Sequence, residues 1–261
     1  MTPLPSKAGC QRGFTLVELL MVIAIVAVLA ALAIPAALGV RARSQNVHCL
    51  NNVRQLGLAL GNFVAEHHEY PLFVNPGGRK GQNDAHRTYW SAAIFPSVGT
   101  DSFFEKGVWD CPTASKPDSW PENEFYTDYG YNAYGMGTVV PGDDLGLGSA
   151  ASTSGKDAVR QPIKEGQVTT PSDTYALGDS FTGWPTVIQD GSGVLWRNKG
   201  AEERLGSTAR AKRRHGGNAN IAFADSHTEA VPLQTLFAEE SDAALSRWNR
   251  DHQPHRDRLT R

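Results

Sequence analysis

Arg12-Gly13-Phe14-Thr15-Leu16-Val17-Glu18 opens into an apolar run that carries no charge from Leu19 to Val40. Those 22 residues match the roughly 20 that a helix needs to cross a hydrocarbon core. The run therefore predicts a membrane helix with one carboxylate, Glu18, just inside its N-terminal end. A carboxylate there needs a partner: insertion scales put Asp at the centre of a membrane helix at roughly 2.5 to 3.5 kcal/mol. Cutting the chain between Gly13 and Phe14 would supply one, because it creates an α-ammonium one helical turn ahead of Glu18. Between staggered copies in a bundle, the Phe14 ammonium of one can neutralise Glu18 of the next, so that assembly relieves the burial penalty.

An ordinary secretory signal peptide competes with this reading, since a basic start, an apolar stretch and a possible Ala31-Leu32-Ala33 cleavage site are all present. It would discard the whole apolar segment. Three features count against it. The run is longer than a usual signal core, Glu18 interrupts its start, and helical patterning continues beyond it.

The leader bearing Lys7 and Arg12, the Gly13-Phe14 junction and Thr15-Leu16-Val17-Glu18 closely resemble the signature of type IV pilins and type II secretion pseudopilins. The resemblance implies cleavage by a prepilin peptidase after Gly13, N-methylation of Phe14, assembly contacts through Glu18, and a kinked or locally melted helix at Pro35. Its implied partners are other pilin-like subunits and, indirectly, an inner-membrane platform protein and an assembly ATPase. The implied location is the bacterial inner membrane, crossed once, with the C-terminal head outside the cytoplasm.

Beyond the membrane run, Cys49, Val53, Leu56, Leu60 and Phe63 recur at alternating spacings of four and three. Leu50, Gly57 and Val64 widen this stripe, and Asn51, Asn52, Arg54, Gln55 and Asn62 fall off it, which predicts an amphipathic helix. Continuous with the membrane segment, it would make a rod on the order of 80 Å long, ended by Pro71. Of the adjacent His67 and His68, the first should extend the packed stripe and the second should be solvated. Asn75 to Gly81 reads as an exposed turn and Asp143 to Asp157 as a Gly- and Ser-rich loop. Strands are expected at Thr174–Asp179, Asn220–Ala224 and Thr228–Val231, the last two as a hairpin. A short helix is expected between Leu233 and Trp248, ahead of a basic, frayed tail. The fold class is α+β: a long N-terminal helix packed on a small antiparallel sheet. Its organisation is leader 1–13, transmembrane and assembly helix 14–40, amphipathic helix 41–69, globular head 70–235, and C-terminal helix and tail 236–261.

The run from Arg214 to His227 resembles a C-terminal motif of a large bacterial subgroup of pilin-like proteins, in which a His is followed nine residues later by Asp-Gly. Here those positions are His215 and Asp225, and Ser226 replaces the Gly, so a turn needing positive φ would be strained or of another type. Cys49 to Gly57, Cys111-Pro112, and Pro171-Ser172-Asp173-Thr174 leading to Asp179-Ser180 resemble the same subgroup. His215, Asp225 and His227 could be metal ligands, but the spacing guarantees convergence of two only. The structural reading is preferred: His215 bonding the hairpin backbone and Asp225 capping its own turn. No metal or cofactor is expected. The calcium loop of some pseudopilins cannot be mapped here, Asp143-Asp144 being too little.

Cys10 belongs to the leader, leaving Cys49 and Cys111 either to form a disulfide outside the cytoplasm or, for Cys49, to pack as a small apolar residue. Removing residues 1–13 leaves 23 basic and 27 acidic side chains, a side-chain charge of −4, which argues against nucleic acid as the main partner. Arg210, Lys212, Arg213 and Arg214 should form an exposed basic face, which could touch anionic lipid, a neighbouring subunit or a polyanion. No nucleophile elbow, phosphate loop or zinc-hydrolase motif is present, so no enzymatic activity is expected. The expected function is that of a pseudopilin or minor pilin assembled into a filament. The alternative is a membrane-tethered ligand- or carbohydrate-binding protein, with Trp90, Trp109, Trp120, Trp184 and Trp196 as its platform.

Overall fold

The computed structural model describes residues 15–73, 90–99, 107–114, 127–136, 145–148, 161–180, 214–237 and 239–258. Gly13, Phe14, Cys10, the predicted turn at 75–81, most of the predicted loop at 143–157, and Trp120, Trp184 and Trp196 lie outside them. Residues 145–148 of that loop are instead buried, held by Leu147 N–H donating to Asn132 O at 2.9 Å and Gly148 N–H to Ala133 O at 3.0 Å.

Helix α1 runs from Leu16 to His67, 52 residues, and is helical without a break through position 35. The chain divides into two compact units after Ser44. In the first unit α1 exposes its apolar side chains, Leu20 at 51% and Leu32 at 71%. Such a surface suits lipid or neighbouring helices rather than water. In the second unit the same helix buries Cys49, Val53, Leu56, Leu60 and Val64, with Phe63 half-buried. The helix stops because His68 turns into the left-handed region (φ 56) and its N–H reaches Val64 O at 2.7 Å, three residues before Pro71.

Three expectations on this helix change. Asn52, predicted to be off the stripe, is buried, and its amide donates to Asp110 O at 2.9 Å. A buried polar group is tolerable once bonded, and a pattern of apolar residues cannot show that. His67 does not extend the packed stripe: it is exposed and stacks on Phe63, ring centroids 4.2 Å apart. Leu50 is only partly buried, while Ala59, left out of the stripe, is buried.

The sheet of the second unit is antiparallel in chain order: β1 Tyr129–Tyr131, β2 Tyr175–Asp179, β3 Asn218–Phe223 and β4 Thr228–Pro232. Alternation along β3 sends Ala222 into the cluster with Leu56 and Leu60 of α1, and Ala219, Ile221 and Phe223 into a second cluster with Leu245 and Trp248. Burial on both faces explains why β2 and most of β3 contain so few polar residues. Helices α2 (Trp90–Val98), α3 (Leu233–Phe237) and α4 (Asp242–Ser246) complete the described regular elements beside short 3-10 turns. The expected single C-terminal helix is thus two short ones, the second started by Ser241, whose hydroxyl accepts from Ala244 N at 3.2 Å. The boundary placed at 235/236 falls inside α3. The tail is held rather than frayed as far as it is described: Arg256 Nε pairs with Asp242 Oδ1 at 2.6 Å, and Asn249 donates to Gln253 O at 2.7 Å.

The β3–β4 turn runs Phe223-Ala224-Asp225-Ser226-His227, closed by Ser226 N to Phe223 O and Phe223 N to His227 O, both 2.9 Å. Ser226 takes φ 73, the conformation usually given to Gly in this kind of turn. The offset lies in the tertiary structure: Ser226 Oγ donates to Gly57 O of α1 at 2.9 Å. Gly57 and Gly61 admit that approach. A Cβ at Gly57 would lie 2.9 Å from Ala222 Cβ, and one at Gly61 would collide with Ser226 Oγ.

Candidate functional site

Two places gather the polar residues of interest, one in each compact unit. At the start of α1, Thr15 and Glu18 form a reciprocal cap: Thr15 N–H and its hydroxyl donate to Glu18 Oε2 at 2.9 and 2.8 Å, while Glu18 N–H donates to Thr15 Oγ1 at 3.2 Å. This is a capping box, which satisfies donors that the first turn of a helix leaves open. Glu18 therefore has a partner inside its own chain, and relief of its burial cost does not wait wholly on assembly. The Thr-x-x-Glu spacing was the signal that could have revealed it. Pro35 falls within the helical span of α1.

The second place is a buried polar cluster where β1, the end of β2, the turn before β3 and the Cys111 segment meet. Asp179 is fully buried, and its Oδ1 accepts from Arg214 Nη2 at 2.9 Å. Its Oδ2 accepts from Asn220 N–H at 2.7 Å and lies 3.3 Å from His215 Nε2. Arg214 also donates to Ser180 O at 2.7 Å. Burial alone would raise the Asp179 pKa, but Arg214, His215 and the Asn220 amide outweigh it and hold the carboxyl below its usual range.

Arg214 therefore corrects the reading of the basic run as an exposed face: it is buried, with a partner 35 residues away in sequence. Arg210, Lys212 and Arg213 lie outside the described residues. His215 corrects a second reading. At φ 51 its ring is buried and directed to Asp179 and Cys111 rather than to the hairpin backbone. The structure does not bring His215 and Asp225 into one site. Asp225 is at the turn, where its Oδ1 accepts from His227 N–H at 3.1 Å, the capping role expected of it, and contacts His227 Nδ1 at 2.5 Å. Asp179, which closes both the predicted strand and the stretch from Pro171 that carries the resemblance, is the buried acid on which this cluster turns. A lone acid closing an apolar strand was the available signal, but its cation was not locatable from spacing.

Cys49 and Cys111 form a disulfide, Cα atoms 5.2 Å apart, that ties α1 to the segment before β1. This decides between the two readings of Cys49 in favour of pairing. Cys111 Sγ lies 3.3 Å from His215 Nε2, and Cys111 N–H donates to Asp128 Oδ2 at 2.8 Å. Cys, His and Asp thus meet, but not as a nucleophilic relay. Such a relay needs the acid on the far ring nitrogen, whereas Asp179 and Cys111 both lie at Nε2 and Nδ1 has no hydrogen-bond partner. Trp90 and Trp109 are core residues, stacked or edge-on within the cluster that also holds Tyr131. They cannot present a carbohydrate platform, so that alternative loses its described members.

Comparison with protein families places two segments. Residues 9–34 match the prokaryotic N-terminal methylation motif, and residues 40–200 match a family described as "Protein of unknown function (DUF1559)". Neither match reaches His215, and the resemblance of the Arg214–His227 run to a His-x9-Asp-Gly motif is not supported by them. No curated protein and no solved structure matches the chain.

Proposed function

Because this chain belongs to the DUF1559 family and begins with a prokaryotic N-terminal methylation motif, which makes it pilin-like and a substrate of prepilin peptidase, we propose that it is a pseudopilin or minor pilin subunit. In this reading the processed chain waits in the inner membrane with its head outside the cytoplasm. The observation that carries the proposal is the pairing of that motif with a helix whose apolar side chains from Leu16 to Val40 are exposed wherever they are described, with one acid at its start. A surface of that kind is stable in lipid and equally able to pack against copies of itself or of related subunits.

The Thr15 box uses Oε2 of Glu18, leaving Oε1 to receive the Phe14 ammonium of a neighbour. The carboxylate is then held by its own helix in the stored subunit and shared with the next in the filament. The assembly ATPase and platform protein act on the subunit without binding chemistry of its own. The chain has no catalytic step and no cofactor in this account.

The test is Glu18→Ala expressed with a cognate assembly system. Processing at Gly13-Phe14 and methylation should continue, read by intact mass, while recovery in sheared filaments falls at least about tenfold. A variant that enters filaments at the wild-type level would overturn the role given to Glu18. A purified wild-type chain that begins anywhere other than N-methylated Phe14 would overturn the whole reading.

A further inference from the structure

The disulfide lies against side chains that a disulfide does not require. Cys49 Sγ, Cys111 Sγ and His215 Nε2 all fall within 4.8 Å of one another, and all three residues are buried. Thr113 Oγ1 closes the group, at 3.0 Å from Cys111 Sγ, 3.5 Å from His215 Nε2 and 4.0 Å from Cys49 Sγ. Zinc held by thiolates at about 2.3 Å and imidazole at about 2.0 Å in a tetrahedron would have S···N edges of about 3.5 Å and an S···S edge of about 3.8 Å. The observed Cys111 Sγ···His215 Nε2 edge of 3.3 Å is already near that value. Opening the sulfur–sulfur bond is therefore the main change needed to make the four atoms a coordination set.

We propose that the dithiol form of this chain binds one thiophilic divalent cation, Zn2+ or Cd2+, through Cys49, Cys111 and His215, with Thr113 or a water it anchors at the fourth corner. Disulfide and metal are then alternative closures of the same joint between α1 and the sheet. Reduction by a dithiol takes two electrons and two protons from the reductant, giving two protein thiols and the reductant's cyclic disulfide. Binding of the cation then displaces both thiol protons. A newly made chain carries the two thiols without any reductant, so the metal form is accessible before oxidation.

Charge does not oppose the exchange. Two thiolates and a divalent cation are neutral together, and Asp179 with Arg214 is neutral beside them, so the buried joint acquires no net charge. The ring nitrogen offered to the metal is the one already facing Cys111, and it ligates as the neutral imidazole tautomer that carries its proton on Nδ1.

The experiment uses the full chain in detergent, reduced with a dithiol, freed of it under anaerobic conditions and titrated with Cd2+. One equivalent per chain should develop an ultraviolet thiolate-to-metal absorption band, and the air-oxidised chain should develop none. His215→Ala should weaken binding by more than about tenfold, and Cys49→Ser should remove the band. Because either variant could perturb the fold, X-ray absorption on the zinc-loaded reduced wild type supplies a second readout: two sulfur scatterers and one imidazole are expected. Absence of a band in the reduced wild type, or a zinc shell without sulfur or without imidazole, would overturn the proposal.

Discussion

Helix α1 contains two stretches of similar regularity and opposite destiny. From Leu16 to Ser44 the apolar residues surround the helix and stay exposed wherever described; from Gln45 to His67 they form a stripe and disappear into a core. The backbone is the same in both. What differs is the periodicity of the side chains, which decides whether the helix finds its solvent in lipid and neighbours or in its own chain. The second stretch also has covalent and polar ties to distant parts of the chain: Cys49 is bonded to Cys111, Asn52 to Asp110 O, and Gly57 O receives Ser226.

Substitutions should divide along that line. The largest effect is expected at Asp179→Ala, which leaves the Arg214 charge buried without its carboxylate and should destabilise the head by about 3–5 kcal/mol in denaturant unfolding. Leader processing should proceed as in wild type. The same pair sets the acid limit. Because the folded pKa of Asp179 is depressed, its contribution is fully present above the unfolded value of about 4 and is lost as pH falls below it through the folded value. Thermal midpoints should therefore fall below about pH 4 in wild type and less steeply in the variant.

Removing the disulfide as Cys49→Ser with Cys111→Ser should cost about 2–4 kcal/mol, consistent with a closure spanning 62 residues. Leu56→Ala, on the buried stripe, should cost at least about 2 kcal/mol. The same truncation at Leu29, exposed in the first stretch, should leave head unfolding unchanged in detergent. Equal losses at both positions would break the contrast between the stretches. The smallest effect separates two terms at the hairpin. Ser226→Ala loses the hydroxyl bond to Gly57 while keeping positive φ and should cost about 1 kcal/mol. Ser226→Gly also loses the bond but relieves the backbone, and should stay within about 0.5 kcal/mol of wild type.

Local regularities were readable in advance. The membrane run, the stripe from Cys49, the β3–β4 hairpin and the turn cap of Asp225 each depend on residues within one or two turns or a strand pair, so spacing suffices. The Thr15–Glu18 box is equally local: the Thr-x-x-Glu spacing that places an acid in lipid also spells a helix cap. Asn52, Arg214 and His215 were misplaced for a different reason: each is a polar residue made tolerable in the interior by a partner 58, 35 or 36 positions away.

Composition and period encode solvent preference along the chain, and they were enough to establish a membrane-length helix with a processing motif and one acid, followed by an amphipathic extension and a small α+β head. That Cys49 pairs with Cys111, that Asp179 neutralises Arg214 beside His215, and that Ser226 can occupy a glycine conformation against Gly57 emerged with the folded chain alone. Those choices depend on which distant groups meet at bonding distance, and bonding distance is a property of the folded arrangement rather than of spacing along the chain.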